Sequence, residues 1–497
     1  MLWMICVAAV FLLHLPYLRL PFFWDEAGYY FPAALDLAQH GHLIPQNTVA
    51  NPHPPLLVMY LALFIKLFGI APIVTRSAMC IVAGTALYSL LLVATVMVSA
   101  EAGLWATGLL ALSPLFFAQS TMALLDVAAT AATLFALYFY LRGRLMAYLI
   151  AATVLCLTRE TGAVVVVLLA VMAWRSSTLP RRALMLVPLL PLAGWFVFLS
   201  LATGHWLGEP TFVSYNLWTT LNPFRFIVTL ARRLHFLFLV DFRWVLAIPV
   251  FYILWESRKR PPGRAGYHLL WLVIAAQVLV MSIFGGAILN RYLLPALALF
   301  YLLAVAALEH LRIPQRKWGL FLMLLAQIGC FFWNPPYPFP FEENLAYADF
   351  INLHETATDR VLTFAPGTRV LTTWPATDEL RRPELGYVRN PVTVLPMEDF
   401  SEESFDKVRV EKFDAILMFS NEWRPEFDLL QEWPSLQKIG ESLYHHRPQV
   451  TPEWVRTKYG LTSLGTIHLR GQWVEWLQRT EYRRRPRASE LHVSYVR

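Results

Sequence analysis

The chain has 497 residues, of which 57% are hydrophobic and only 15% charged, with a mean hydropathy of +0.48. So apolar a composition excludes an ordinary water-soluble enzyme of this length and indicates a polytopic membrane protein. The net charge of +7 does not indicate nucleic acid. About 20 of the basic and about 24 of the acidic residues fall in 334–497, so the positive excess belongs to the apolar part, where anionic lipid or phosphate is the expected partner.

The first apolar run, Leu2 to Leu18, has no basic segment before it and no small-residue cleavage site after it, and reads as a retained span. It ends at Phe22-Phe23-Trp24-Asp25-Glu26-Ala27-Gly28-Tyr29-Tyr30. An acidic pair against the end of a hydrocarbon-spanning segment loses hydration that lipid cannot replace, which marks Asp25 and Glu26 as functional candidates. The following stretch, Arg19 to Pro72, carries two helical patterns, Ala27 to Gln39 and Pro55 to Phe68, the second opened by prolines and closed by Gly69. Both suit helices lying in the membrane interface, with Lys66 as an anchor.

Further apolar runs follow at Ile73–Val98, Gly103–Ala118, Ala123–Leu141, Ala147–Leu157, Ala163–Trp174, Ala183–Ala202, Trp244–Trp255, Leu269–Phe284, Leu293–Leu308 and Leu320–Phe332. About 11 crossings result if each is complete, although the shortest fall below the roughly 30 Å of a hydrocarbon core. Basic loops alternate to one side: Arg142 with Arg144, Arg175 with Arg181 and Arg182, Arg258-Lys259-Arg260 with Arg264, and Arg312 with Arg316 and Lys317. The positive-inside rule makes that side cytoplasmic. It then gathers Asp25, Glu26, His53, Asp126, Arg159, Glu160 and Arg291 on the outer side, together with everything beyond Asn334. Glu101, Glu256 and Glu309 fall at cytoplasmic ends, where water solvates them. The four cysteines, Cys6, Cys80, Cys156 and Cys330, lie in apolar runs and read as buried thiols.

The membrane part, 1–333, is thus expected to be all-α. After Asn334-Pro335-Pro336 the composition changes. Helical patterns at Asn344–His354 and Glu402–Lys412 and strand patterns at Arg369–Thr373 and Asp414–Phe419 suggest a small α/β domain over 334–497, ending in the basic tail Arg483–Arg487.

Asp126 opens a span, where a carboxylate can cap a helix or serve a reaction. Thr158-Arg159-Glu160-Thr161-Gly162 interrupts two apolar runs with a pair that either neutralises itself or lends a guanidinium to a phosphate. Asn290-Arg291-Tyr292 supplies a second guanidinium on the same side, and His53 a further donor. Carboxylates beside cations in an apolar wall suit a substrate with a lipid tail and a phosphate head. The sequence has no Gly-rich nucleotide loop.

In that order, Trp24-Asp25-Glu26-Ala27-Gly28-Tyr29, His53-Pro54-Pro55-Leu56, Lys66-Leu67-Phe68-Gly69, Leu125-Asp126-Val127 and Arg291-Tyr292-Leu293-Leu294-Pro295 resemble the integral-membrane GT-C glycosyltransferases, in the group of protein O-mannosyltransferases and lipid A aminoarabinose transferases (glycosyltransferase family 39 type). The resemblance covers about residues 1–310. It implies transfer of a hexose or pentose from a polyprenyl-phosphate carrier to a lipid, glycan or protein acceptor at the outer face of an inner membrane. It also implies Asp25, Glu26 and Asp126 as catalytic acids. Arg159, Arg291 and His53 would meet the donor phosphate, and Tyr29, Glu160 and Tyr292 the substrate. His53 stands where some relatives carry Lys, and Arg159-Glu160-Thr161-Gly162 where many carry Lys-Gly. A divalent cation, Mg2+ or Mn2+, near the paired acids is the one cofactor the residues suggest. A transporter or flippase of lipid-linked sugars is the alternative, since it would use the same groove without bond cleavage, but the chain lacks the internal symmetry such proteins commonly show. A receptor or assembly platform would need no acid pair at the membrane.

Overall fold

A computed structural model describes residues 1–173, 178–218, 220–257, 265–284, 287–309, 312–424, 442–443 and 447–479. Arg175, the Arg258-Lys259-Arg260 run, Arg264 and the tail Arg483–Arg487 lie outside them. The chain divides into two compact units, Met1–Ala348 and Asp349–Arg497.

The first unit is helical. Pro72–Met97 begins with proline in its first turn, where no amide donor is missed, and runs unbroken for 26 residues. It packs against Leu2–His14, Ala100–Ala111 and Leu125–Leu141. Gly84 permits the first of these crossings: a β-carbon there would fall 2.5 Å from Val7 Cα. Leu294–Leu308, rich in Leu and Ala, is buried over nearly its whole length at the centre of the apolar core. Pro72–Met97 and Asn290–Leu308 are long and apolar enough to cross a membrane. Pro223–Phe238 and Arg243–Tyr252, bent by 97°, qualify only together, and seven shorter apolar helices among the described residues have 10 to 17 residues. Large side chains such as Leu201, Phe332 and Trp333 stand more than four-fifths exposed, as expected of a surface solvated by lipid.

Charges separate along Pro72–Met97. Arg76 in its first turns meets Glu26. Beyond its far end, Glu101 pairs with Arg316 at 3.1 Å and Lys317 at 3.7 Å, and Arg316 with Glu309 at 3.7 Å. At 1.5 Å per residue the two groups stand roughly 35 Å apart.

The helix Pro223–Phe238 falls where sequence reading found no span. Asn222 caps it by accepting from the amides of Phe224 and Arg225. Arg225, Thr229 and Arg233, spaced four apart, are buried, whereas Phe224 and Ile227 on other faces are more than half exposed. The helix therefore turns its polar stripe inward and its apolar side outward, the reverse of a soluble helix.

Residues 334–348 pack with the first unit, because Phe341–Glu343 forms a 3-10 turn whose carboxylates are engaged there. The compact division thus falls between Ala348 and Asp349, where the sequence reading placed a change of composition at 333/334.

The second unit carries a five-stranded mixed sheet in the order β2-β1-β3-β5-β4, with β1 Val370–Thr373, β2 Val394–Met397, β3 Ala415–Phe419, β4 Leu461–Leu469 and β5 Gln472–Arg479. β1 is parallel to both β2 and β3, and β5 is antiparallel to β3 and β4. All five residues of β3 are buried, consistent with its central place. β4 and β5 join through Arg470 and Gly471, both at positive φ (46° and 83°), as a two-residue hairpin turn requires.

Candidate active site

The acidic pair does not sit in an ordinary helix. Trp24 has φ of 42°, a conformation that costs a bulky residue energy and persists only where the surroundings enforce it. Glu26–Tyr30 then forms a π-helical turn before Phe31–His40. Such turns recur at functional sites because they re-aim successive side chains. Here they send Asp25 and Glu26 to different partners.

Glu26 is 1% exposed. Its Oε1 accepts from Arg76 Nη2 at 2.7 Å and from the Phe23 amide at 2.7 Å, and its Oε2 from the Ala123 amide at 2.8 Å. Arg76, itself fully buried, donates from Nε to the Leu20 carbonyl at 2.9 Å and from Nη2 to that of Pro21 at 2.5 Å. Glu26 and Arg76 thus join the end of the first helix, the π-turn and the approach to Leu125–Leu141. Arg76, the lone charge in a 26-residue apolar helix, was missed by sequence reading although that isolation is itself a signal.

Asp25 points the other way, to Arg291. The Arg291 guanidinium is bracketed by three carboxylates: Asp25 Oδ2 on Nη2, Glu342 Oε2 on Nη1 at 2.7 Å, and Asp126 Oδ2 at 3.2 Å from Nε. Asp126 Oδ1 pairs in turn with Arg159 Nη1. The helix Leu125–Leu141 is N-capped by Leu124 without a side-chain bond; the Asp126 carboxylate meets the two arginines. Among the three carboxylates Asp25 is the accessible one, with a side chain 21% exposed against 4% for Asp126 and 6% for Glu342. Glu342 was not anticipated from sequence, where it belonged to the outer domain. Burial raises Glu342 above the usual carboxylate range in spite of Arg291, and raises the neighbouring Glu343, which accepts from Asn290 Nδ2 at 2.7 Å, to about 8.

The Arg159 guanidinium lies 4.3 Å from the centre of the Tyr292 ring, a cation–π distance. The Arg233 guanidinium approaches the same ring at 5.7 Å. Arg233 is fully buried on the inward stripe of Pro223–Phe238, and two of its nitrogens are used: Nε donates to the Met281 carbonyl at 2.8 Å and Nη1 to that of Leu289 at 3.1 Å. Among the described residues its Nη2 has no hydrogen-bond partner and no carboxylate pairs with it. A buried cation held only by carbonyls and a ring has its desolvation offset only in part. Sequence reading missed it along with its helix.

Arg159, Asp126 and Tyr292 line a narrow cleft with Thr133, Gln277 and Met281. His53 and Glu160 pair with each other, Nδ1 to Oε2 at 2.9 Å, and the His53 ring lies parallel to that of Tyr30 with centroids 6.3 Å apart. Tyr29 is half-buried in the π-turn. The structure therefore brings Asp25, Asp126, Arg159, Arg291 and Tyr292 into one cluster, and joins His53 to Glu160. It directs Glu26 toward Arg76. The residues do not fit a Mg2+ or Mn2+ site at the acid pair, because Glu26 faces Arg76 and backbone amides while Arg291 occupies the point on which Asp25, Asp126 and Glu342 converge.

No protein-family model matches the sequence, and no curated protein does. Solved structures do. The chain superposes on ArnT from Cupriavidus metallidurans in the apo state with a TM-score of 0.55 at 15% identity. On the same protein bound to undecaprenyl phosphate the TM-score is 0.53 at 14% identity; both comparisons cover 95% of this chain and 97% of that one. The chain has the fold of these structures, the GT-C architecture that its sequence resembles, with a helical unit and a small sheet-containing unit after it.

Proposed function

We propose that this chain is a glycosyltransferase that moves a sugar from a polyprenyl-phosphate donor to an acceptor hydroxyl or amine at the outer face of an inner membrane. The single observation that carries the reading is the Asp25–Arg291–Asp126–Arg159 cluster beside a cleft whose aromatic wall, Tyr292, is also approached by the buried Arg233 guanidinium. That cluster offers a base for the acceptor and cations for a phosphate, within a helical unit suited to a lipid tail. The likeness to ArnT, one structure of which holds undecaprenyl phosphate, supports the same substrate class.

In this mechanism Asp25, the accessible carboxylate, takes the proton of the acceptor. The acceptor atom forms a bond to the anomeric carbon as the bond from that carbon to the phosphate oxygen breaks, with inversion, and the electron pair leaves on polyprenyl phosphate. Arg233 and Arg159 receive the phosphate, with Tyr292 fixing their planes, and stabilise the charge that grows on it. Arg291 and Asp126 hold Asp25 and Arg159 in register. Glu26 is a positioning residue, acting through Arg76 on the π-turn. Tyr29, His53 and Glu160 border the acceptor or donor path.

About 11 crossings are part of the same reading, with a cytoplasmic N-terminus and the second unit outside. The charge groups at opposite ends of Pro72–Met97 favour this orientation, with Arg316, Lys317 and Glu101 on the cytoplasmic side. The test is transfer from polyprenyl-phosphate sugars by the purified chain in detergent, followed by mass spectrometry. Asp25→Asn is expected to abolish turnover, and turnover at the wild-type rate in that variant would remove Asp25 from the mechanism.

A further inference from the structure

Away from the arginine–carboxylate cluster, Asp36, His40 and His42 converge where Phe31–His40 ends. Gly41, at φ of 77°, stops the helix in the left-handed conformation and turns the chain so that residues 40 and 42 both face back to residue 36. The two imidazole rings lie nearly parallel, 21° apart, with centroids separated by 5.6 Å. Each directs Nδ1 at the same oxygen, Asp36 Oδ1, at 2.9 Å from His40 and 3.1 Å from His42.

We propose that Asp36, His40 and His42 form a transition-metal site, with zinc as its first occupant, that clamps the loop following Phe31–His40. The three ligand atoms lie within 4.8 Å of one another. Bonds of about 2.0–2.1 Å to a tetrahedral zinc place neighbouring ligands roughly 3.3 Å apart, so the two measured edges need to open by only a few tenths of an ångström. The other carboxylate oxygen, Oδ2, accepts from the Gln46 amide at 2.7 Å, which orients Oδ1 as a single ligand in the way that outer partners fix metal-binding side chains. The Asp36 side chain is 4% exposed, those of His40 and His42 60% and 38%, so the site is anchored on the inside and open to water for a fourth ligand. Two imidazoles in a set of three select zinc and its neighbours over Mg2+ and Ca2+, which prefer oxygen.

The clamped loop backs the candidate active site. Asn47 Nδ2 donates to the Pro32 carbonyl at 3.0 Å and Thr48 Oγ1 to that of Gly28 in the π-turn at 2.5 Å. The chain then runs into Asn51–Pro55, where His53 meets Glu160. A metal here would fasten the loop to the helix without touching the reacting atoms, and the inference stands whether or not the proposed reaction is correct.

The experiment uses the full chain, purified through a histidine-free tag in detergent, stripped with chelator and titrated with Zn2+ alone. Bound zinc is read by plasma mass spectrometry after gel filtration, and Co2+ loading by its visible absorption. The expected result is about one zinc per chain, an affinity lowered at least 100-fold in His40→Ala/His42→Ala, and no change in Asp25→Asn. The histidines are exposed enough that the double variant should elute as wild type, and zinc should slow proteolysis of residues 41–50 only when they are present. Absence of zinc from the wild type, full retention by the double variant, or loss in Asp25→Asn instead would each overturn the proposal.

Discussion

Glu26→Gln tests whether the second acid of the pair reacts or positions. Glu26 is 1% exposed and accepts three hydrogen bonds, one from Arg76 and two from backbone amides. Glutamine keeps the shape but replaces one oxygen with a donor. If its oxygen serves Arg76 and Phe23, its NH2 meets the N–H of Ala123, and the reverse orientation sets it against the guanidinium. Arg76 is fully buried, so either arrangement leaves a charge without its counter-ion, at a cost of about 3–5 kcal/mol. For a unit of this size that corresponds to a fall in melting temperature of the order of 10 °C. The assay pairs a thermal melt in detergent with turnover measured well below the melt, for Glu26→Gln and Asp25→Asn side by side. Asp25→Asn, with a partly exposed side chain and Arg291 still held by Glu342 and Asp126, should melt near the wild type yet lose turnover. Glu26→Gln should show the opposite pattern. If Glu26→Gln melted within about 2 °C of wild type and still lost turnover, the division of labour argued from the hydrogen bonds would be wrong.

Arg233→Gln removes the nitrogen without a partner, and a charge-assisted bond to phosphate worth about 1.5–3 kcal/mol should be lost. The kcat/KM for donor is then expected to fall roughly 10- to 100-fold; an unchanged kcat/KM refutes the phosphate role. Tyr292→Leu withdraws the ring from Arg159, a contact of about 0.5–2 kcal/mol, so a smaller fall in kcat/KM should appear with little change in melting temperature. Glu343→Gln addresses pH. Burial holds Glu343 at about 8, above its ordinary value, so the folded state binds its proton more tightly than the unfolded one. Its contribution to stability is full below about 4.5 and is lost as pH rises through about 8. Wild-type melting temperature should fall between pH 5 and 9, and Glu343→Gln, which keeps the bond from Asn290, should flatten that fall. Identical slopes in the two proteins would exclude Glu343 as the source.

The helical unit could be read from the sequence because long apolar runs carry their own signal, and Pro72–Met97 and Leu294–Leu308 lie within a residue or so of the runs that announced them. Pro223–Phe238 escaped because its periodicity is inverted: Arg225 and Arg233 suggest a wet face until the fold shows them buried. Asp25, Asp126, Arg159 and Arg291 stood out as charges at the ends of apolar runs. Glu342 did not, because a carboxylate in a polar, proline-rich stretch looks solvated when its partner is 51 residues away. The different fates of Asp25 and Glu26 depend on the π-turn and on Trp24 at positive φ, and no single-residue pattern encodes either. In the second unit β1 and β3 were legible as short apolar runs, whereas β4, with Thr462, Ser463 and Gly465, has too little apolar alternation to register as a strand.

The cluster's charges suggest why the proposed reaction needs little rearrangement of the protein. Asp25, Asp126 and Glu342 face Arg159 and Arg291, and Arg233 supplies a third cation nearby. A sugar joined to a polyprenyl phosphate is a diester with one negative charge, while the departing monoester approaches two near neutral pH, since its second pKa is about 6. Transfer therefore moves about one negative charge onto the phosphate at the moment that a proton from the acceptor removes one from Asp25. The total charge within the buried region is conserved, and only its location changes, from the carboxylate beside Arg291 toward the guanidinium groups stacked on Tyr292. A buried guanidinium that meets only carbonyls and a ring and has no carboxylate beside it among the described residues, as in Arg233, binds the more highly charged leaving form more strongly than the donor. That difference, unlike uniform affinity for both, lowers the barrier.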